Sequence, residues 1–187
     1  TNQKSSGRCW LFAALNVIRI PLMIKYNLKE FEFSQSYLFF YDKLERTNYF
    51  IESIIDAKKK NHKVDSQMIQ HLISSPMGDG GQWDMVANLI NKYGLVPKSV
   101  YQETRHSSSS REMNAILTRK LREYAKNIME NDKISKDQML EEVYQLLAKF
   151  LGTPPTNFDW EYQDKDGYKI IKNLTPTNFY KEHVDFN

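Results

Sequence analysis

The run from Trp10 to Ile24 is apolar except at Asn16, Arg19 and Pro21. A segment so apolar around its whole circumference predicts a central, buried helix, from Cys9 to about Tyr26. Its three interruptions argue against a membrane span. Pro21 is expected to kink the helix or close its first segment, because proline has no N–H and its ring crowds the preceding turn. A tight Ser5-Ser6-Gly7-Arg8 turn stands just before the run, and Ser5 or Ser6 is expected to cap the helix. The chain must therefore feed a loop into a buried helix, and its only cysteine, Cys9, falls in the first helical turn.

That position has chemical meaning. The first N–H groups of a helix lack partners, and the dipole there favours negative charge on sulfur. Gln3 lies six residues upstream, where its amide could fold back beside the thiol. A nucleophile with a donor aimed at the oxyanion it creates suits acyl transfer. On the residues alone the plainer reading, Cys9 as a small buried core residue, comes first.

The octet Gln3-Lys4-Ser5-Ser6-Gly7-Arg8-Cys9-Trp10 resembles the nucleophile segment of papain-like cysteine proteases, whose signature is Cys-Gly-Ser/Ala-Cys-Trp/Tyr. Gly7, Cys9 and Trp10 agree with it, whereas Ser6 replaces the first cysteine and Arg8 the small residue. Both departures are similar to the bleomycin hydrolase branch. Further resemblances lie at Glu32–Phe40, Asp79–Met85 and Trp160-Glu161-Tyr162, spread over most of the chain. The resemblance implies an α+β papain-like fold. This chain would supply its mostly α part, a helical left domain with a helical insertion and one short β-hairpin, without most of the β-rich second domain.

In such a protein Cys9 is the nucleophile, Gln3 and the Cys9 N–H stabilise the oxyanion, and Gly80 and Gly81 hydrogen-bond the substrate backbone. The implied activity is that of a cysteine aminopeptidase acting on peptides and on small amides or thiolactones, with no cofactor and no metal. The catalytic base needs a separate source. His62 and His71 read as surface positions, and His106 lies in a polar loop. His183 falls on a predicted helix, whereas the family's catalytic His lies on a strand of the second domain. No His-Glu-x-x-His or Cys-x-x-Cys spacing occurs. The chain thus reads as an internal piece, inactive by itself, with the His and Asn expected beyond Asn187.

The rest of the chain divides into three expected regions. Residues 1–103 form the helical domain, with a second helix capped by Ser34 and running to about Lys60. It continues through a short helix near 66–73, a glycine-rich loop at 74–81 and a helix from Gln82 that Gly94 stops. Three glycines within 78–81 let backbone approach backbone or ligand closely, and without the family this loop could equally be a surface turn. Residues 104–155 form the insertion. Its polar Arg105–Ser110 loop precedes two helices, about 111–130 and then one opened by a Ser135/Gln138 capping box, which could make an antiparallel hairpin. Residues 156–187 hold a β-hairpin turning at Asp164–Gly167 and a short helix after Thr175-Pro176.

The insertion's helix carries Arg119, Lys120, Arg122 and Lys126 on one face. By resemblance this face lines the channel of a homohexamer, and in a monomer it is ordinary solvated charge. Weak nucleic-acid binding through it is an alternative function, and a non-catalytic fragment whose exposed apolar surface marks a lost domain interface is another. The overall balance of 26 basic against 23 acidic residues is too mild to favour nucleic acid by itself. A single cysteine excludes an intrachain disulfide, which points to a reducing compartment, the cytoplasm, with no membrane association.

Overall fold

A computed structural model describes residues 2–130 and 134–184. Its first helix, α1 (Cys9–Lys25), is buried on one side only. Leu11, Ala14, Leu15, Ile18 and Leu22 face the core, while Ala13, Val17, Ile20 and Ile24 are exposed along the side that also carries Cys9. The expectation of a helix buried all round is therefore corrected. Pro21 neither breaks nor ends α1. Its ring and the Val17 turn beneath it lie on the exposed side, where water can take the carbonyl that loses its donor. The expected serine cap is also absent. The N-cap residue is Arg8, and no side chain caps the helix.

The longest element, α2 (Gln35–Lys59), is the scaffold. Ser34 caps it, accepting from the Tyr37 N–H at 3.1 Å and donating to the Tyr101 carbonyl at 2.6 Å. Leu38, Phe39, Phe40, Phe50, Ile51 and Ile54 follow helical spacing and are fully buried. Against α2 pack α1, the short α3 (Gln67–Ser74), α4 (Trp83–Tyr93), α6 (Arg111–Glu130) and α7 (Lys136–Leu151). The last two lie more extensively on α2 than on each other, so they are part of one core and not a free-standing hairpin. The Ser135/Gln138 capping box forms, with bonds of 3.0 and 3.2 Å.

Arg105–Ser108, expected as polar loop, is a helical turn, α5, with its own capping box between Thr104 and Ser107. Ser107 and Ser110 are buried. The segment folds inward because its hydroxyls and its backbone meet carboxylates and the Ser5 strand, which satisfies them away from water.

After α7 the chain forms an antiparallel hairpin, β1 (Phe158–Asp164) and β2 (Gly167–Leu174), turning where expected. A Thr175-capped turn, α8 (Pro176–Asn178), leads into a π-helical turn at Phe179–Val184. Gly94, at φ +76°, ends α4 where that turn crosses it: a Cβ there would stand 2.2 Å from the Pro176 backbone. Leu95 N–H donates to the Pro176 carbonyl at the crossing, at 3.0 Å.

Candidate active site

Cys9 is the first residue of α1, and its thiol is exposed. The first-turn N–H groups near it carry no side-chain acceptor, because the N-cap residue is Arg8. Uncapped N–H groups at a helix start beside a nucleophile are donors of the kind an oxyanion can use.

Arg8 turns the other way. Its guanidinium is fully buried and makes paired bonds of 2.9 and 2.8 Å to the Glu103 carboxylate. It lies over the rings of Phe12 and Phe39, 5.1 and 5.2 Å from their centroids. Its Nε donates to Ser6 Oγ at 2.9 Å, and that hydroxyl donates to the Gln3 carbonyl at 2.8 Å. Ser6 is thereby committed to shaping the loop, which explains why it does not cap the helix. The loop closes on itself and folds Gln3 back toward the start of α1. Lys4 takes a left-handed φ of 57° within it. The Ser5 N–H donates to the Ser108 carbonyl at 2.9 Å, fixing the outer strand of the loop on α5. The Gln3 amide makes no hydrogen bond among the described residues, and its Oε1 is buried.

The glycine loop is fastened to the nucleophile turn at several points. Trp10 Nε1 donates to the Asp79 carbonyl at 2.6 Å, and the Gly7 N–H donates to Asp79 Oδ2 at 3.1 Å. A Cβ on Gly7 would sit 2.8 Å from the Asp79 Cβ, and one on Gly81 would sit 2.6 Å from the Trp10 ring. Gly80 is exposed with open space where a side chain would go, and its carbonyl accepts from Arg46. The N–H and carbonyl of Gly81 make no hydrogen bond among the described residues and remain available for an extended chain laid beside them.

Behind the loop, Lys43 is fully buried and donates to Asp79 Oδ1 at 2.7 Å and to the Gly78 carbonyl. Ser110 and Asn114 add bonds to the Asp79 carboxylate at 2.5 and 2.6 Å. Burial alone would push the Asp79 carboxyl up. The Lys43 ammonium and these donors outweigh it and hold the group well below the usual carboxylate range. Asp42, adjacent to Lys43, is pushed up by burial, and its Arg46 partner at 2.9 Å and Lys43 only partly offset that.

Sequence reasoning missed Asp79 and Lys43. A signal for Lys43 existed: it falls on the apolar face of α2 with Phe39, Phe50 and Ile54, where an unpaired charge could not be buried.

None of the four histidines hydrogen-bonds Cys9 among the described residues. His183 sits at the far end of α1, with its Nδ1 2.5 Å from the Tyr26 hydroxyl and its ring against Trp160 and Phe179. The 17 residues of α1 separate that end from Cys9 by about 25 Å. Burial and Lys25 hold His183 below the ordinary histidine value despite Glu182. His106 packs edge-on against Phe150, and His71 lines an open cavity of about 710 Å³ between α2, α3 and α4. Among the described residues, no group of three or more His, Cys, Asp or Glu could hold a metal ion, and no helix is long and apolar enough to cross a membrane.

The basic face of α6 is largely engaged within the chain. Arg122 donates to the carbonyls of Ile73 and Ser74 at 2.8 Å each, and Lys120 pairs with Glu142 at 3.0 Å. Lys126 lies 3.9 Å from Glu130. Two of the four basic residues of this face, Lys120 and Lys126, thus stand beside carboxylates, which tempers the positive potential a nucleic-acid reading needs.

Comparison with known proteins adds an independent line. A family model described as the Peptidase C1-like family matches residues 1–187. Mouse bleomycin hydrolase is 46% identical over 98% of this chain and 43% of its own length. Aminopeptidase C of Listeria innocua is 46% identical over 100% of this chain and 44% of its own. A yeast relative named cysteine proteinase 1, mitochondrial, is 43% identical over 98% of the chain and 41% of its own length. The crystal structure of PepW from Lactobacillus rhamnosis superposes with a TM-score of 0.93 at 46% identity, covering the whole chain and 44% of that structure. The chain thus spans less than half the length of these relatives.

Proposed function

We propose that this chain, which belongs to the Peptidase C1-like family, is the nucleophile-bearing part of a cysteine aminopeptidase of the bleomycin hydrolase and aminopeptidase C type. The observation that carries the proposal is the placement of Cys9. It is exposed at the uncapped start of α1, in a turn that Ser6 ties to the Gln3 carbonyl and that Gly7 and Trp10 fasten to Asp79 of the glycine loop.

The chemistry follows from that placement. A peptide, or a small amide or thiolactone, lies extended along Gly80 and Gly81. The Cys9 thiolate adds to its carbonyl carbon, and the Cys9 N–H and the Gln3 amide receive the oxyanion. The tetrahedral adduct collapses to a thioester as the leaving group takes up a proton, and water then hydrolyses the thioester. The proton donor is an imidazole from outside this chain: α1 holds His183 at the wrong end, His106 packs on Phe150, His71 lines the cavity beside α2, and His62 lies just past the C-terminal end of α2.

The exposed Val17, Ile20 and Ile24, on the same side of α1 as Cys9, support a second domain that covers this side and brings the imidazole to the thiol. A cytoplasmic homohexamer is the assembly proposed for the complete protein.

The test compares the chain with the complete protein on an aminoacyl fluorogenic substrate. The complete protein is expected to turn over and to lose turnover in Cys9→Ala, whereas the 187-residue chain gives none. Turnover by the chain alone that Cys9→Ala abolishes would refute the divided active site.

A further inference from the structure

We infer that Asp79 is a positioning residue that sets the nucleophile turn against the substrate-binding glycine strand; this rests on the aminopeptidase reading above. Two separate stretches must keep a fixed relation if Cys9 is to meet a carbonyl held by Gly81. A misplacement of 1 Å is enough to cost about a hundredfold in rate. No covalent link joins them, since the chain has one cysteine. Asp79 bridges them through both its backbone and its side chain.

Its carbonyl takes the Trp10 indole N–H at 2.6 Å, and its carboxylate takes the Gly7 N–H at 3.1 Å. These two residues flank Arg8 and Cys9 in sequence, so the nucleophile is gripped from both sides. On the other side, Asp79 is itself part of the glycine strand, two residues before Gly81. The carboxylate cannot swing away. Lys43, Ser110 and Asn114 hold it from α2 and from the start of α6, at 2.7, 2.5 and 2.6 Å. Its side chain is 10% exposed and that of Lys43 is 0% exposed, so water does not compete effectively for these bonds. The packing leaves no slack either, since Gly7 meets the Asp79 Cβ and Gly81 meets the Trp10 ring with no room for a methyl group.

Asp79 touches no reacting atom in this arrangement. Its effect is exerted through Gly7, Trp10 and Gly81, and it should appear in alignment more than in binding. In the complete protein, Asp79→Asn is expected to lower kcat at least tenfold per titratable Cys9, while KM changes less than threefold. Alkylation of Cys9 by iodoacetamide, which needs no alignment with the glycine strand, is expected to stay within twofold of wild type. Asn114→Ala, which removes one supporting bond and leaves the carboxylate, is expected to give a smaller fall in kcat of about threefold. It serves as the deciding variant if Asp79→Asn does not fold.

An unchanged kcat per titrated thiol, with only a lower melting temperature, overturns the positioning role. It would make Asp79 an ordinary structural residue. A wild-type protein with no thiol-dependent turnover overturns the aminopeptidase reading, and this inference with it. The two failures are therefore told apart by the wild-type control.

Discussion

Gly81 lies so close beneath Trp10 that a Cβ on the glycine would stand 2.6 to 2.8 Å from three atoms of the indole. The ring is anchored by the bond from its Nε1 to the Asp79 carbonyl, next to the contacted atoms, so it cannot readily retreat. Gly81→Ala is therefore expected to destabilise the chain by about 1–3 kcal/mol, the usual cost of overpacking. Gly80→Ala, with nothing within 4 Å of its Cβ, is expected to be nearly silent. Chemical denaturation of the two variants side by side checks the difference.

Arg8 gives a second expectation. Its guanidinium is buried among aromatic rings and satisfied by Glu103. Glu103→Ala strands that charge and is expected to cost about 3–5 kcal/mol. Arg8→Met in the same background is expected to recover part of the loss, because it removes the stranded charge and keeps an apolar stem between Phe12 and Phe39. A double-mutant cycle by urea unfolding measures this.

The low-titrating Asp79 fixes the sign of one pH effect. Its folded carboxyl ionises below the value of about 4 that an unfolded Asp shows. The unfolded chain therefore takes up the proton first as pH falls. The stability contributed by the Lys43–Asp79 pair is complete above about pH 4 and is lost as pH drops through the folded value. Asp79→Asn is expected to flatten that part of the acid limb, and melting temperatures between neutral pH and pH 3 would reveal it.

The exposed side of α1 predicts a context-dependent result. Val17 and Ile20 are 50% and 53% exposed, so Val17→Gln/Ile20→Gln is expected to change the stability of this chain by no more than about 0.5 kcal/mol per site. The same pair is expected to reduce binding of an apolar dye to the chain and to destabilise the complete protein more strongly. Equal effects in both would argue against a covering domain.

Much of the fold was legible because it rested on local chemistry. Ser34, the Ser135/Gln138 box, Thr175 and Gly94 each solve a backbone problem within a few residues, and each marks its boundary as expected. The octet around Cys9 was legible as a motif. What was not legible depended on partners distant in sequence. Ser6 looked like a cap until Arg8 claimed its hydroxyl. Arg8 itself makes sense only with Glu103, which lies 95 residues away. The Arg105–Ser110 stretch looked solvated because its residues are polar, and its partners are Asp79, Glu103 and the Ser5 strand. The open side of α1 was invisible for a related reason. Apolar composition says that a surface should be covered, not which part of the polypeptide covers it.

The crossing at Gly94 gives the chain a particular topology. Leu95 and Pro176 are backbone neighbours, so everything between them departs from one point and comes back to it. Such an excursion can grow or shrink at little cost, since doubling its length adds only about 0.6 kcal/mol of closure entropy. Residues near the doorway, which lead straight to α4 and the glycine strand, would not feel the change. The excursion is nonetheless no passenger, because α6 and α7 within it form much of the wall against which α2 packs. Changes of length are therefore tolerable at the hairpin tip, around Asp164–Gly167, and not along the helices. That division says where a tag or a fluorophore can be inserted without moving Cys9.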